Sequence, residues 1–300
     1  MSWMSSEIAS QPAVWRRAAA LGRELPAGLL PAPGERVALV GCGTSYNMAQ
    51  AAAALREAAG QGETDAFAAS EMPATRRYDA VVALSRSGTT TEVLRLLERL
   101  PPEIPTTVLS AVPGTPVVAA ARRAIVLDFA DERSVVQTRF ATSALVLWRA
   151  WLGEDLEATI AAAERALRAP LPVEPGPPAD GRPGHFVFLG RGWTAALASE
   201  AALKLREAAR AWVESYPAME YRHGPIAVAG PGTVVWALGT LPEGLAEDVA
   251  ATGARVLEPD PDPMASLVLA QRLAAALAAA RGLDPDHPRH LTRSVVLPSA

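Results

Sequence analysis

Two carboxylates flank the only lysine of the chain. Glu200, Lys204 and Glu207 are four and three residues apart, so on a helix they share a stripe about 60° wide. The other 27 basic residues are arginines, which stay protonated, whereas a partly buried lysine can shift its pKa. The sequence predicts a helix over 195–213 with Ala and Leu around the stripe, where a carboxylate could carry a proton. A solvated ladder of ion pairs is the alternative.

Two short segments rich in hydroxyl groups each follow an apolar strand and precede a helix. The first is Gly41–Tyr46 and the second is Ser85–Thr91. In a parallel sheet the carboxyl ends of strands meet at one edge, where ligands bind, and helix N-termini favour anions. The pair therefore predicts a site for a phosphate ester, held by hydroxyls and backbone amides. Ordinary N-capping by Ser and Thr is the alternative.

A loop histidine supplies a possible acid or base. His223 lies in the proline-bounded segment 215–225, just before Gly224-Pro225, and imidazole titrates near neutral pH; a structural role is the alternative. His287 and His290 in the tail do not predict a metal site, because proline separates them and further ligands are missing. The turn at 190–195 matches a dinucleotide pattern, but the long helix that follows does not fit NAD binding. We expect no cofactor.

The surrounding pattern predicts an α/β fold with a parallel sheet in each half, because apolar strand-like runs alternate with helical stretches. A Pro/Gly-rich run over 169–184 reads as a linker. The halves look like copies: the strand–glycine pattern at 37–43 recurs at 186–192, and Leu-Arg-Glu-Ala-Ala at 55–59 recurs at 205–209. The predicted organisation is a lead-in (1–35), a first domain (36–168), the linker, a second domain (185–283) and a tail (284–300).

Composition narrows the class of protein. The chain has 300 residues, a formal net charge of −4 and a single cysteine. This balance argues against nucleic acid as a partner and against a disulfide framework. The apolar stretch 269–281 is shorter than a membrane span, and the N-terminus lacks a signal-peptide pattern. We expect a cytoplasmic protein that does not bind membranes.

Together these segments resemble proteins with two sugar isomerase (SIS) domains. The nearest likeness is to the isomerase half of glutamine–fructose-6-phosphate aminotransferase and to stand-alone aminosugar-phosphate deaminases. The resemblance rests on five segments in the same order, which are 41–46, 85–90, 200–207, 216–225 and 289–295. It implies two flavodoxin-like domains of parallel sheet flanked by helices, no cofactor, and a homodimer with shared active sites.

The resemblance also implies roles for individual residues. The phosphate of the sugar would be held by the hydroxyl residues and nearby backbone groups of the two turns, namely Cys42, Gly43, Thr44, Ser45, Ser85, Arg86, Ser87 and Thr90. Val135 would contact the sugar, and Glu200 would line the site. Glu207 would move a proton between C1 and C2, and Lys204 beside it would offset the negative charge that develops on the sugar oxygen. His223, supplied by the neighbouring subunit, would open the sugar ring, and the tail would cover the site.

Three departures from the aminotransferase pattern modify these expectations. Ser2 follows Met1, where the aminotransferases begin with a nucleophilic cysteine and a glutaminase domain, so glutamine-driven synthesis is not expected. Arg293 stands in place of a tail lysine; an arginine cannot form an imine with the sugar, although its charge could still steady the substrate. Arg86 and Thr89 replace Gln and Glu in the second turn, which could alter the sugars that the pocket accepts.

The expected function is conversion of an aminosugar 6-phosphate, with glucosamine 6-phosphate as the first choice, to a ketose 6-phosphate by proton transfer between C1 and C2. Two related activities stay open, which are cleavage of a fructosamine 6-phosphate and plain aldose–ketose isomerisation. A phosphosugar sensor without turnover is the alternative from another class. The 36 residues before the first predicted strand are too few for a DNA-binding helix-turn-helix, which regulatory SIS proteins usually carry.

Overall fold

The computed structural model describes residues 2–176, 183–257, 260 and 262–298. The chain divides into two compact units, each built from separate stretches. The first unit comprises Ala13–Glu132, Gln137–Leu156 and Thr292–Ala300, and the second unit comprises Met1–Pro12, Arg133–Val136 and Glu157–Leu291. Helix α1 (Trp3–Arg23) contributes to both units.

The first unit contains a five-stranded parallel sheet in the order β2-β1-β3-β4-β5. This is the strand order of flavodoxin-like folds. The elements, in chain order, are β1 (Val37–Gly41), α2 (Thr44–Ala58), β2 (Thr64–Ala68), β3 (Ala80–Leu84), α3 (Thr91–Arg99), β4 (Thr106–Ser110), α4 (Pro116–Ala120), β5 (Arg123–Val126) and α5 (Arg139–Trp151). Every residue of β1, β3 and β4 is buried, as expected for a parallel sheet covered on both faces.

The second unit contains a four-stranded parallel sheet in the order β7-β6-β8-β9. Its elements are α6 (Glu157–Arg168), β6 (His185–Gly190), α7 (Trp193–Ala209), β7 (Trp212–Pro217), β8 (Thr233–Leu238), α8 (Leu245–Ala251), β9 (Arg255–Leu257) and α9 (Pro263–Ala280). The order repeats the first four strands of the other sheet. The expected α/β class, with parallel sheets flanked by helices, is therefore confirmed.

Two predicted element boundaries are wrong. The helix predicted to reach residue 213 ends at Ala209, because Arg210 adopts a left-handed conformation with φ 50° and ψ 39°, which stops a helix. The residues that follow, Trp212–Pro217, form β7, and their aromatic and β-branched side chains favour a strand. The segment expected to be a loop from residue 215 therefore begins with the end of this strand.

The predicted linker and domain limits stay predictions. Of the stretch 169–184, residues 177–182 lie outside the described residues. Helix α9 has 18 residues and passes a length-and-composition test for a membrane span, but about two thirds of it is buried. It packs against α6 and α7 within the second unit, as a core helix does.

Candidate active site

The first hydroxyl-rich turn joins β1 to α2. Gly41 permits the close approach of strand and helix, since a Cβ there would lie 2.5 Å from the backbone carbon of Ser45. Gly43 adopts φ 55° and ψ −124°, a conformation that glycine accepts readily. Thr44 and Ser45 are each 4% exposed. The tight turn thus places two hydroxyl residues at the very start of a helix.

The second hydroxyl-rich turn joins β3 to α3 and lies beside the first. Strands β1 and β3 are neighbours, and Val40 near the end of β1 pairs with Ala83 near the end of β3. The two turns therefore begin at the same edge of the sheet. Hydrogen bonds within the turn order its hydroxyl groups: the Thr89 amide and hydroxyl donate to Oγ of Ser87 at 3.2 and 3.1 Å. Oγ of Ser85 lies 3.5 Å from Oγ1 of Thr90.

Neither turn uses its hydroxyls to cap the helix that follows. Gly43 is the N-cap of α2 and Thr90 is the N-cap of α3, and no side-chain cap hydrogen bond is present at either position. Ordinary N-capping therefore does not explain these Ser and Thr residues. Helices α2 and α3 follow adjacent strands, and neither helix has a side-chain cap at its N-terminus. The two N-termini together form a positive electrostatic environment that favours an anion.

Cys42 is half-buried between these two helix starts. Burial, partly offset by a hydrogen bond from the Ala69 backbone, raises the pKa of the Cys42 thiol above its usual value, and the carboxylate of Glu92 raises it further. Glu92 belongs to the first turn of α3. Its Oε2 is buried without a hydrogen-bond partner in the described structure. No motif or spacing in the sequence singles out this acidic group, although Glu92 directly follows the second hydroxyl-rich turn.

The end of the tail packs on the second turn within the first unit. Arg86, 2% exposed, donates from its guanidinium to the Arg293 carbonyl at 2.8 Å. The Val295 carbonyl accepts a hydrogen bond from the Thr91 amide at 3.1 Å, so one amide of the α3 N-terminus is already occupied. The guanidinium of Arg293 pairs with Asp131 and the Glu132 carbonyl. Arg293 is thus committed to the protein surface in this conformation.

The second unit contains the three charged residues of the predicted stripe. Lys204 and Glu200 have no exposed side-chain surface, while Glu207 is 21% exposed. Nζ of Lys204 lies 2.7 Å from Oε2 of Glu207 and 3.3 Å from Oε1 of Glu200. The burial excludes a solvated ladder. It leaves a buried ammonium between two carboxylates, of which only Glu207 reaches the surface.

The loop that carries His223 is anchored by the two residues that precede the histidine. Tyr221 is fully buried and its ring lies 5.9 Å from that of Tyr216. Arg222 pairs with Asp248 on α8 at 2.7 Å. Between these anchors and Gly224, His223 itself is exposed and makes no hydrogen bond with any described residue. The loop therefore presents an imidazole outward from an ordered base.

Burial raises the pKa of Tyr221 to about 12, with smaller contributions from Glu214 and Tyr216. The phenol therefore stays protonated at neutral pH. Its oxygen has no hydrogen-bond partner among the residues described.

The remaining predicted contact residue, Val135, belongs to the second unit. It is half-buried, and its amide donates to the Asp286 carbonyl at 3.1 Å. The neighbouring Glu132, in the first unit, was not given a role by the sequence. It is 1% exposed and accepts from the Thr138 and Arg139 amides at 2.5 and 2.8 Å, so it stabilises the N-terminus of α5.

The predicted site residues are divided between the two units. The first unit contains Cys42, Gly43, Thr44, Ser45, Ser85, Arg86, Ser87, Thr90 and Arg293, and the second unit contains Val135, Glu200, Lys204, Glu207 and His223. Within the part of the chain that the structure describes, no group of three or more His, Cys, Asp or Glu residues is placed to hold a metal ion.

Comparison with known protein families identifies the domain that contains the five-stranded sheet. The SIS domain family model matches residues 32–147, which contain both hydroxyl-rich turns. The chain therefore carries a SIS domain, and this part of the expected family assignment is confirmed. The match covers one region, so a second SIS domain remains a proposal.

Several relatives match along most of the chain, and two of them are described here. A glutamine–fructose-6-phosphate aminotransferase [isomerizing] of Methanothermobacter thermautotrophicus is 28% identical over 311 residues, which cover 88% of this chain and 52% of that protein. The crystal structure of a glucosamine-6-phosphate deaminase from Thermotoga maritima has a TM-score of 0.79 and 26% identity, and the match covers 99% of this chain and all of that one. The chain is thus homologous to the isomerase part of the aminotransferases and to phosphosugar enzymes.

The shared fold extends to a more distant structure. A tagatose-6-phosphate ketose/aldose isomerase from Escherichia coli has a TM-score of 0.76 at 18% identity, over 99% of this chain and 96% of that chain. At this identity the likeness concerns the fold alone. The chain spans about half the length of the aminotransferase that it matches along most of its own sequence.

Proposed function

We propose that this protein deaminates an aminosugar 6-phosphate, with glucosamine 6-phosphate as the first candidate, and releases a ketose 6-phosphate and ammonia. The observation that carries the proposal is the buried Glu200–Lys204–Glu207 group, in which Glu207 alone reaches the surface. The similarity to a glucosamine-6-phosphate deaminase along the whole chain supports this substrate class.

The two hydroxyl-rich turns would hold the phosphate. Thr44, Ser45, Ser85, Ser87 and Thr90 offer hydroxyl groups at or just before the starts of α2 and α3, and backbone amides near Cys42, Gly43 and Arg86 would add to them. A charged oxygen makes stronger hydrogen bonds than a neutral one. The phosphate would therefore anchor the sugar although neither hydroxyl-rich turn contains a lysine.

Glu207 would transfer the proton. In the open-chain sugar it takes the proton from C2, which gives an enolamine, and returns it to C1. The resulting C2 imine reacts with one water molecule, yielding the ketose phosphate and ammonia. Lys204 has no exposed surface, so in this conformation it acts through Glu207 by holding that carboxylate in place, and Glu200 balances the buried ammonium. Positioned acid–base groups of this kind contribute about 10²–10⁴-fold to rate.

The other predicted site residues would complete the assembly. His223, exposed on an ordered loop, would open the sugar ring in a homodimer whose active sites are shared between subunits. Val135 would contact the sugar. Arg293, paired with Asp131, would hold the tail over the site rather than form an imine. The proposed location is the cytoplasm, and the proposed origin of the second unit is duplication of the SIS domain.

A second candidate is plain aldose–ketose isomerisation, and the fold shared with a ketose/aldose isomerase favours keeping it. Both reactions use the same proton transfer, and they differ in whether ammonia is released. Cleavage of a fructosamine 6-phosphate uses similar steps. A phosphosugar sensor would bind without either product.

The test compares Glu207→Gln with Glu57→Gln, which changes the same Leu-Arg-Glu-Ala-Ala sequence in α2. We expect Glu207→Gln to lower ammonia release from glucosamine 6-phosphate by about 10³-fold, with sugar-phosphate binding by calorimetry retained. Glu57→Gln should leave turnover within about twofold, because its carboxylate only accepts the Thr64 amide and an amide oxygen can replace it. Full activity in Glu207→Gln would refute the assignment.

A panel of 6-phosphosugars separates the candidate functions. Ammonia together with a ketose phosphate from glucosamine 6-phosphate supports deamination. Interconversion of aldose and ketose phosphates without ammonia supports isomerisation. Saturable binding with neither product would favour the sensor and overturn the proposal.

A further inference from the structure

The first unit contains a cavity of about 820 Å³. It lies at the edge of the first sheet that is opposite to the two hydroxyl-rich turns. Arg36 precedes β1 and Asp79 precedes β3, so the cavity lies at the amino ends of the strands, whereas the turns lie at the carboxyl ends. Strands β1 and β3 have five residues each, and at about 3.3 Å per residue they separate the two edges by roughly 16 Å. The cavity is therefore distinct from the proposed sugar site.

The lining combines an apolar floor with a basic rim. Met72 and Leu96 are 8% and 3% exposed, and the half-buried Leu100 and Ile104 extend this floor. Four arginines contribute to the lining, which are Arg36, Arg76, Arg77 and Arg99, against the two acids Asp79 and Glu103. The lining thus carries two more positive than negative charges. Pockets that bind small organic molecules combine these properties within about 300–1,000 Å³.

The four arginines are not equally engaged. Arg36 pairs with Glu63 and Arg76 pairs with Asp65, each at 3.1 Å. Arg77 and Arg99 make no ion pair or hydrogen bond with any residue in the described ranges. The carboxylate of Asp79 accepts the Arg36 amide at 2.8 Å. Two guanidinium groups therefore remain for an outside anion, and guanidinium geometry suits phosphate and carboxylate oxygens.

We propose that this cavity binds a small amphipathic organic anion. Arg77 and Arg99 hold its phosphate or carboxylate, and its planar or aliphatic body covers the floor formed by Met72, Leu96, Leu100 and Ile104. A wholly polar phosphosugar would leave this floor uncovered, so the ligand differs in class from the proposed substrate. The site does not depend on the function proposed above.

The experiment measures binding to the full chain by calorimetry with two probes that share this chemistry, ADP with a planar body and decanoate with an aliphatic one. Inorganic phosphate is the comparison without a body. We expect at least one amphipathic probe to bind saturably and at least about tenfold more tightly than phosphate. The preferred probe identifies the kind of body that the floor accepts.

Variants assign the binding to the cavity. Arg77→Ala with Arg99→Ala should weaken the preferred probe by about tenfold or more. The matched control is Arg95→Ala, an exposed arginine one turn earlier on α3 that does not line the cavity, and it should leave the affinity unchanged. Ala74→Trp, at an exposed position of the rim, should block binding while the thermal midpoint stays within about 2 °C.

Three results would overturn the proposal. They are no saturable binding of either probe, equal weakening by Arg95→Ala and by the double variant, and undiminished binding to Ala74→Trp. None of these outcomes bears on glucosamine 6-phosphate turnover, which is measured separately. Failure of this inference is therefore distinguishable from failure of the proposed function.

Discussion

The turn and helix at 41–58 and the turn and helix at 190–209 have nearly the same backbone. Gly43 has φ 55° and ψ −124°, and Gly192 has φ 53° and ψ −130°. A Cβ on Gly41 or Gly190 would lie 2.5 or 2.2 Å from the backbone of the following helix. From Ser45 onward, every buried residue of α2 has a buried counterpart 149 positions later in α7. The two regions share one packing scheme.

Their side chains differ at a few positions. The start of α2 carries two hydroxyl residues, Thr44 and Ser45, whereas the start of α7 carries Trp193 followed by the single hydroxyl residue Thr194. Further along, the first helix has alanine or leucine where the second has charge: Ala51, Leu55 and Ala58 correspond to Glu200, Lys204 and Glu207. One copy of the scaffold is suited to holding an anion and the other to moving a proton, which supports both duplication and the proposed reaction.

The same register corrects one sequence match. The two Leu-Arg-Glu-Ala-Ala segments lie 150 residues apart, while the helix starts and the burial patterns lie 149 apart. One residue on a helix is a rotation of 100°. The five-residue match is therefore out of phase and does not identify structurally equivalent positions.

The largest expected effect concerns the buried ion pairs of α7, which α2 lacks at the corresponding positions. Lys204→Met removes the ammonium that lies between Glu200 and Glu207, leaving carboxylates without a counter-charge. Breaking a buried ion pair in this way costs about 3–5 kcal/mol. The free energy of unfolding, measured with urea at neutral pH, should fall by that amount.

The control for this change is Leu55→Met, at the corresponding position of α2. Exchange of one aliphatic side chain for another costs less than about 1.5 kcal/mol. In Lys204→Met, the additional change Glu200→Gln should recover part of the loss, because it removes one uncompensated charge. Equal losses for Lys204→Met and Leu55→Met would show that the stripe is not a buried ionic group in solution.

An intermediate effect tests whether the turn before α2 and the turn before α7 are alike in structure but different in function. Gly41→Ala and Gly190→Ala each introduce a methyl group into a backbone contact shorter than 3.0 Å, and each should cost about 1–3 kcal/mol. Only Gly41→Ala should also weaken glucosamine 6-phosphate binding, by about tenfold, because it displaces the hydroxyl-rich turn.

Gly230→Ala serves as the control for both, since a Cβ there has its nearest neighbour at 3.9 Å. Unfolding by urea and binding by calorimetry provide the two measurements. Loss of sugar-phosphate affinity in Gly190→Ala equal to that in Gly41→Ala would contradict the division between the turns.

The sequence predicts the sheets more accurately than the ends of helices. Strand β3 (Ala80–Leu84) coincides with a continuous apolar run bounded by Asp79 and Ser85 in the sequence. The end of α7 was predicted four residues too late, since a left-handed arginine at 210 has no signature in composition. Local pattern therefore locates buried strands, whereas a stop that depends on one backbone angle is visible only in the structure.

Within the candidate site, the sequence identifies the chemistry but not the packing partners. The stripe of Glu200, Lys204 and Glu207 follows from spacing alone. The ion pair of Arg293 with Asp131 joins residues 162 positions apart, and no periodicity predicts it. The role of Glu92 beside Cys42 likewise depends on two strands lying next to each other.

The smallest expected effect concerns Cys42 in the turn that joins β1 to α2; the turn that joins β6 to α7 has Arg191 at the corresponding position. Burial is the main cause of its raised pKa, and the Glu92 carboxylate adds to it. Because the thiolate is the reactive form, iodoacetamide should modify Cys42 at pH 8 more slowly than it modifies an exposed cysteine in a peptide. Glu92→Gln removes one negative charge, lowers the thiol pKa and should accelerate alkylation roughly twofold.

The chain has one cysteine, so the mass increase on alkylation reports this site alone. Glu98→Gln, an exposed change on the same helix, should leave the rate unchanged. Alkylation as fast as in the peptide would mean that the turn before α2 opens to solvent. The proposed phosphate site at the starts of α2 and α3 would then not be preformed. An equal acceleration in Glu98→Gln would show a general charge effect instead of the local contact between Glu92 and Cys42.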